Sequence, residues 1–283
     1  MPYAQGSYGL SPGTTYYYCA IASNSYGTGF GAVLSFTTPP ALPVVTTNSP
    51  TSLTGTTAQL SGYANPGGDS STGWFRYATT SPGSCNDTFG TRAPSSGGSA
   101  LGAGATTIPY AQAISGLTAG TTYYVCAIVS NSVGTAYGGV VSFMTPSPPT
   151  VVTNSASSLV NTSATLNGTG NPNRATTTGW FRYAASNPGT CNDAFGSRAP
   201  ISGGSALGSG SASVAYAQSV SGLSLATTYY YCAIVASSEG TAYGAVMSFT
   251  TATSPTVTTT VATAVTASSA NLTRNFLSTS VVP

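Results

Sequence analysis

Residues 14–38 read TTYYYCAIASNSYGTGFGAVLSFTT, residues 121–145 read TTYYVCAIVSNSVGTAYGGVVSFMT, and residues 227–251 read TTYYYCAIVASSEGTAYGAVMSFTT. The second copy begins 107 residues after the first, and the third begins 106 residues after the second. A solenoid unit has about 20–50 residues, whereas a period of this length is typical of an autonomous domain with its own core. The sequence therefore predicts a tandem array of near-identical modules.

Within a module, every local pattern indicates β-structure. Short runs of Val, Thr, Tyr, Phe and Ile alternate with smaller residues and stop at clusters of Gly, Pro, Asn and Ser. No stretch keeps a 3.6-residue period between helix caps. For one full period the pattern predicts seven strands, at 150–154, 163–168, 178–184, 196–199, 211–220, 226–237 and 243–251. Seven short strands in about 100 residues are typical of a two-sheet sandwich.

Alignment on the repeat divides the chain into four pieces. Residues 44–146 and 150–252 are two complete modules, residues 1–39 are the end of a module, and residues 256–283 are the start of another. Proline-rich joints connect the pieces, and joints this short act as semi-rigid spacers. We expect strands in the two end pieces at 1–8, 14–24 and 30–38, and at 256–261 and 268–273. Because the chain starts in mid-module, we expect either that it is a fragment of a longer protein or that its start was assigned wrongly.

Composition argues against several classes of function. Only 4% of the residues are charged, the net charge is +2, and there is no histidine or lysine. A surface with so few cations cannot track the phosphates of a nucleic acid. No apolar run reaches the roughly 20 residues of a membrane span. Without a histidine base, and with four acids in all, we expect no catalytic residues, no metal site and no cofactor.

A family resemblance is carried by the phrase LSPGTTY at 10–16, which recurs as LTAGTTY at 117–123 and as LSLATTY at 223–229. With the GWFRYA strand at 73–78 and 179–184, it resembles fibronectin type III modules, particularly those of bacterial extracellular repeat proteins. The resemblance implies an all-β fold of tandem seven-stranded immunoglobulin-like sandwiches. It also implies a structural tyrosine corner at Tyr16, Tyr123 and Tyr229.

Aromatic residues are expected on the outer face of one sheet. If Tyr123 points into the core, then Tyr124 and Cys126 point outward, since side chains alternate along a strand. The family pattern also places Trp74 outward. These aromatics either pack beneath a flap of the module or contact a ligand, and the candidates are Trp74, Trp180, Tyr124 and Tyr230.

Cysteines distinguish these modules from the family, which usually lacks disulfides. In each complete module two cysteines are separated by 41 residues, which favours the bonds Cys85–Cys126 and Cys191–Cys232. Each bond would draw the segment after strand three back across the outer face as a flap. Cys19 is expected to be unpaired because its counterpart would precede residue 1. Disulfides imply an extracellular or cell-surface location.

Two of the four acids of the modules fall in the repeated CysAsnAsp motif. Asp87 and Asp193 each precede an arginine by five residues, Arg92 and Arg198 respectively. We expect Asp–Arg pairs that brace the flap, since a metal site would need several further oxygen ligands.

The sequence leaves three functions open. The first is a non-catalytic extracellular segment that serves as a stalk, adhesin or fibre. The second is a carbohydrate-binding accessory region of a secreted enzyme. The third is a filament subunit that assembles through its incomplete end modules. The expected partners are neighbouring modules, together with cell-surface glycans or proteins or further copies of the chain; nucleic acid is not among them.

Overall fold

The computed structural model describes residues 3–253 and 256–277, and the chain divides into two compact units on either side of the bond between residues 145 and 146. All the regular structure of the described residues is β-strand. The first end piece holds β1 (Thr15–Tyr18), β2 (Ile21–Asn24), β3 (Gly27–Phe30) and β4 (Leu34–Thr37). The second holds β23 (Thr256–Thr259) and β24 (Arg274–Leu277).

The two complete modules hold nine strands each, in the same order. In the module of residues 44–146 these are β5 (Val44–Thr47), β6 (Thr57–Asn65), β7 (Ser71–Ala78), β8 (Thr91–Ala93), β9 (Ser99–Gly102), β10 (Ile108–Ser115), β11 (Thr122–Ser130), β12 (Thr135–Tyr137) and β13 (Val141–Met144). In the module of residues 150–252 they are β14 (Thr150–Val160), β15 (Ser163–Asn171), β16 (Thr177–Ala184), β17 (Ser197–Ala199), β18 (Ser205–Gly208), β19 (Val214–Ser221), β20 (Thr228–Ser237), β21 (Gly240–Tyr243) and β22 (Met247–Thr250).

Each module is a sandwich of two antiparallel sheets. One sheet has three strands, in the order β10-β6-β5 in the first module and β14-β15-β19 in the second. In the other sheet of the first module, β7 and β11 lie at the centre; β8 and β9 share one edge, and β12 and β13 share the other. If β8 and β9 are counted as one interrupted edge strand, and β12 and β13 as another, each module has seven strand positions. The prediction of tandem seven-stranded, fibronectin type III-like sandwiches is confirmed.

Some strand bounds differ from the prediction for residues 150–252. The predicted strand at 243–251 is shorter, since β22 spans Met247–Thr250, and β21 (Gly240–Tyr243) ends before Gly244, whose N–H donates to Ala233 O (2.9 Å). An unpredicted strand, β18, adds to the edge that β17 begins. Both differences arise at sheet edges, where a strand has one neighbour and interruptions are common.

The core of each sandwich follows the alternation of its strands. Inward residues of the long central strands, such as Phe75, Val125 and Ala127, are at most 1% exposed. Phe181, Tyr231 and Ala233 fill the corresponding places in the second module and are fully buried. The pairing registers of the two modules differ by the repeat length alone, so that Trp74 lies opposite Ile128 and Trp180 lies opposite Ile234. The strand pairing of the first module is therefore repeated, residue by residue, in the second.

The two joints that precede the complete modules form hydrogen bonds with the module that follows them. The Ala41 N–H donates to Gly67 O (2.8 Å), and the Asn131 side-chain amide donates to Ala41 O (2.8 Å). Before the second module, Ser147 N–H donates to Asn173 O (3.1 Å), and the Asn173 side chain donates to Pro148 O (2.7 Å). The joints are therefore part of the folded structure of the downstream module.

The end pieces reproduce hairpins of the complete modules. The first end piece pairs β1 with β4 and β2 with β3, and residues 3–8, where a strand was predicted, form none. The rest of that prediction, residues 1–2, lies outside the described residues. The second end piece pairs Thr256 with Leu277, which is the Thr150–Asn171 register moved by one repeat.

The prediction for the last strand was wrong. It placed the strand at 268–273 and ended the module at Arg274, whereas β24 spans Arg274–Leu277 and only an isolated bridge joins Thr263 to Asn271. Side chains after Arg274 depart from the repeat, but ladder hydrogen bonds use backbone groups. The pairing therefore continues through a stretch that the side-chain pattern does not identify.

Candidate functional site

A flap lies across the outer face of the larger sheet in each module. It comprises residues 79–90 between β7 and β8, and residues 185–196 between β16 and β17. Glycine closes it against the sheet: Gly90 has φ 52°, and a Cβ there would lie 2.2 Å from the Tyr77 carbonyl oxygen. Gly196 repeats these values against Tyr183. Only glycine fits a left-handed conformation at so close an approach.

A disulfide ties each flap to the sheet beneath it. Cys85 is bonded to Cys126, and Cys191 is bonded to Cys232; in both bonds the Cα atoms are 6.0 Å apart. That separation lies within the usual range for disulfides. Each bond joins residues 41 apart in sequence and so closes a long loop of the unfolded chain.

Beneath each flap is a second, smaller core, which we call the outer core. In the first module Trp74 (7% exposed) packs with fully buried Cys126 and Ile128, and Cys85 and Phe89 cover them from the flap. The second module repeats the cluster; its members are Trp180, Cys191, Phe195, Cys232 and Ile234. The tryptophans are thus flap-packed aromatics, and neither ring offers an open face for a sugar to stack on.

The carboxylate of the flap anchors the tryptophan and an arginine together. Asp87 Oδ1 accepts hydrogen bonds from Trp74 Nε1 (2.8 Å) and from Arg76 Nε (2.9 Å). In the second module Asp193 Oδ1 accepts from Trp180 Nε1 and Arg182 Nε, both at 2.8 Å. One oxygen atom therefore organises the flap of each module.

The predicted pairing of Asp87 with Arg92, and of Asp193 with Arg198, was wrong. The guanidinium of Arg92 lies 4.8 Å from the centre of the Trp74 ring and donates to the carbonyl oxygens of Pro94 and Gly97. Arg198 does the same above Trp180, at 4.7 Å. Arg76 and Arg92 are cross-strand neighbours on one face, so both are near the flap. The flap sets Asp87 above β7, where Arg76 reaches it and Arg92 instead stacks on the ring.

These contacts set the charge state of the flap. Burial raises the pKa of the Asp87 carboxyl, but hydrogen bonds from Trp74 and Arg76, with the charges of Arg76 and Arg92, lower it more. The pKa of Asp87 therefore lies below its ordinary value. The pKa of Asp193 is lowered in the same way, with the bonds from Arg182 and Trp180 acting against burial. Both carboxyls are ionised at neutral pH.

The other residues singled out in the sequence have separate places. The Tyr123 hydroxyl accepts the Thr118 N–H (3.0 Å), and Tyr229 and Tyr16 accept from backbone five residues upstream in the same way, so all three have tyrosine-corner geometry. Tyr124 and Tyr230 are half-buried. Cys19 is exposed and is the free cysteine of the described chain.

Sequence reasoning missed the role of Phe89 and Phe195 in the outer core. Each phenylalanine follows its aspartate by two residues in the repeated phrase CysAsnAsp-x-PheGly. The Asn86 side chain accepts the N–H groups of Thr88 and Phe89 (both 3.0 Å), which turns the flap so that the ring points at the sheet. Repetition of an apolar residue inside a polar loop could have revealed this role.

Chemically, the arrangement fastens the flap to the sheet and so braces the module. Every charged group of the flap has a partner, and within residues 3–253 and 256–277 no three His, Cys, Asp or Glu side chains cluster as metal ligands would. None of the structure described is a helix long and apolar enough to cross a bilayer.

Comparison with known proteins finds similarity among solved structures. No family model matches the chain, and no curated protein matches it. Among solved structures it is similar to a crystal structure of chicken CNTN1 FN1-FN3 domains, with 15% sequence identity and a TM-score of 0.36. The match covers 85% of this chain and 78% of that one. A likeness of this size says nothing about function.

Proposed function

We propose that this chain is a non-catalytic extracellular repeat segment that serves as a stalk, adhesin or fibre. The observation that carries the proposal is the hydrogen bonding of each joint to the downstream module, through Ala41 and Asn131 in one case and through Ser147 and Asn173 in the other. A joint held in this way leaves fewer freely rotating residues between neighbouring modules, and the proposal expects the array to be stiffer for that reason. Repetition of such joints would give a chain that keeps its ends apart.

The braced face supports the same proposal. Each module devotes a disulfide, a buried tryptophan and an Asp–Arg pair to fastening one surface loop. By the chain-entropy estimate, closing a loop of about 40 residues stabilises a module by roughly 4 kcal/mol. Stability of this kind suits a secreted module, since a disulfide persists in an oxidising environment.

Small-angle X-ray scattering tests the proposal on the full chain. The first variant replaces residues 146–149 with Gly-Ser-Gly-Ser, which removes the stiff prolines. The second, Asn173→Gly, removes only the side-chain bond to Pro148, and glycine tolerates the native φ of 49°. We expect a narrow distribution of maximum dimensions for the wild type, a broader one for Asn173→Gly, and the broadest for the linker variant.

The same scattering measurement can contradict the proposal. If the wild type and the Gly-Ser variant give the same broad distribution, the joints do not restrict the modules and the chain is not a spacer. Circular dichroism of each variant provides the control that both sandwiches remain folded.

A further inference from the structure

The three-stranded sheet of each module ends at a long, regular strand with one neighbour. Within the described chain, β10 pairs only with β6 and β19 only with β15, in eight-residue ladders without a register shift. The other edges of the modules are short, interrupted or shifted in register. An uninterrupted edge is the kind of surface to which another strand adds.

Hydrogen bonds identify which backbone groups face outward from this edge. In β6, Gln59 N–H donates to Thr51 O (2.8 Å) and Ser61 O accepts from Asn48 N–H (3.0 Å), so both residues face away from β10. Their partners across the ladder, Ala113 and Ala111, therefore form non-hydrogen-bonded pairs with β6. The N–H and C=O groups of these alanines point out of the sheet.

The same alternation places Pro109 at an outward position in β10. Pro109 lies opposite Tyr63, two residues before Ala111, and has no N–H to offer an incoming strand. Proline at such a place blocks an edge without breaking its own ladder. The first module therefore carries a natural edge block.

The second module lacks that block. Ala215 occupies the place of Pro109, and the outward residues of β19 are all small and exposed: Ala215, Ala217, Ser219 and Ser221. The remaining protection is the side-chain amide of Gln218, which donates to Ser219 O at 3.0 Å. This single bond can be exchanged for one from a partner strand.

Charge does not protect the edge either. The strands of the three-stranded sheet contain no Asp, Glu, Lys or Arg in either module. Lysine and other charges on an edge are the usual means by which proteins prevent pairing. A second β19 laid antiparallel presents a donor opposite each acceptor and a small side chain opposite each small side chain. The edge of β19 is therefore complementary to itself.

We propose that the edge of β19 is a β-augmentation site whose occupant is β19 of a second copy of this chain, added antiparallel. The contact is lateral and uses the second module alone, since Pro109 closes the corresponding edge of the first. It is independent of the end pieces and of the proposed function as a spacer.

Sedimentation equilibrium of the full chain tests this site. All variants carry Cys19→Ser, because the exposed thiol could otherwise form disulfide-linked dimers. We expect concentration-dependent dimers in this background, and a dimer Kd raised about tenfold or more by Ala215→Pro, since each lost hydrogen bond contributes about 0.5–1.5 kcal/mol. Pro109→Ala opens the second edge and should strengthen association.

Two further measurements keep the test decisive. Ala217→Lys places a charge on the exposed edge without removing a backbone donor, so it should also weaken the dimer. It replaces Ala215→Pro as the test if that variant does not fold. Hydrogen exchange at Ala215, Ala217, Ser219 and Ser221 should slow as concentration rises, while Ala111 and Ala113 stay unchanged. A wild type that is monomeric up to its solubility limit, or a dimer that Ala215→Pro and Ala217→Lys leave intact, overturns the proposal.

Discussion

The two complete modules agree closely at the flap and differ in the main core. Beneath the flap, the Trp–Asp hydrogen bond is 2.8 Å in both, and the disulfide Cα atoms are 6.0 Å apart in both. In the main core, Val125 is replaced by the much larger Tyr231, and both are buried. The outer core is small and its members depend on one another. The main core is large enough to accept a new shape when its neighbours adjust.

The adjustment in the second module involves its first strand. Tyr231 donates its hydroxyl to Asn154 O (2.6 Å) and meets Phe249 edge-on at 5.8 Å between ring centres. Asn154 is where β14 shifts register and continues to Val160, whereas β5 of the first module has four residues. The larger core residue therefore accompanies a longer edge strand, which it supports by a backbone contact.

Removing the disulfides should give the largest effect on this comparison. The double variant Cys85→Ala, Cys126→Ala should lower the free energy of unfolding of its module by about 4 kcal/mol, because an open loop of about 40 residues gains chain entropy. The variant Cys191→Ala, Cys232→Ala should cost the other module the same amount. Hydrogen exchange of β11 and β20 amides in denaturant measures the two modules separately. A difference above about 1 kcal/mol between the losses would contradict the equivalence of the flaps.

Changing the flap carboxylate should have a smaller effect that depends on pH. Asp87→Asn should lower stability by about 1 kcal/mol, less than for a fully buried charged hydrogen bond, because the carboxylate is partly exposed. Since the folded state lowers the pKa of Asp87, its contribution is present above about pH 4 and disappears as pH falls through the lowered pKa.

The measurement is an acid titration of stability for the wild type and the variant. The two curves should converge at low pH, with the second module and its Asp193 as the internal reference. If the stability curves of the wild type and Asp87→Asn stay parallel down to the lowest pH, the charge of Asp87 does not contribute to stability.

The tyrosine hydroxyl should give the smallest effect, confined to the second module. Tyr231→Phe keeps the ring and removes the bond to Asn154 O, which should lower stability by about 1 kcal/mol. Exchange of β14 amides beyond Asn154 should become faster, while β5 is unaffected. Tyr243→Phe, at a residue 48% exposed, is the matched control and should be neutral. If Tyr231→Phe and Tyr243→Phe lower the free energy of unfolding equally, the Tyr231 hydroxyl is not what stabilises the longer strand β14.

Alternation along the strands predicted much of this molecule. With Tyr123 in the main core, as the family resemblance implies, alternation placed Tyr124 and Cys126 toward the outer face, because successive side chains of a strand point to opposite faces. The resemblance itself placed Trp74 on that face. The choice between Arg76 and Arg92 as partner of Asp87 could not be predicted in this way, since it depends on the path of an irregular flap. The length of β14 was equally hidden, since Asn154, after which its register shifts, contacts Tyr231, a residue 77 positions away in sequence.

The contacts of the arginines also determine where a protease that cleaves after basic residues can cut the chain. The chain has no lysine, and four of its six arginines are half-buried in strands, where Arg76 and Arg182 bond to the flap carboxylates and Arg92 and Arg198 stack on tryptophans. An enzyme that cleaves after basic residues must pull a strand out of the sheet to use any of these four. Arg174, exposed in the turn between β15 and β16, is the accessible target within the modules. Cleavage there would separate the first strands of the second module from its disulfide-bonded part, so this turn is the site of the module most vulnerable to such a protease.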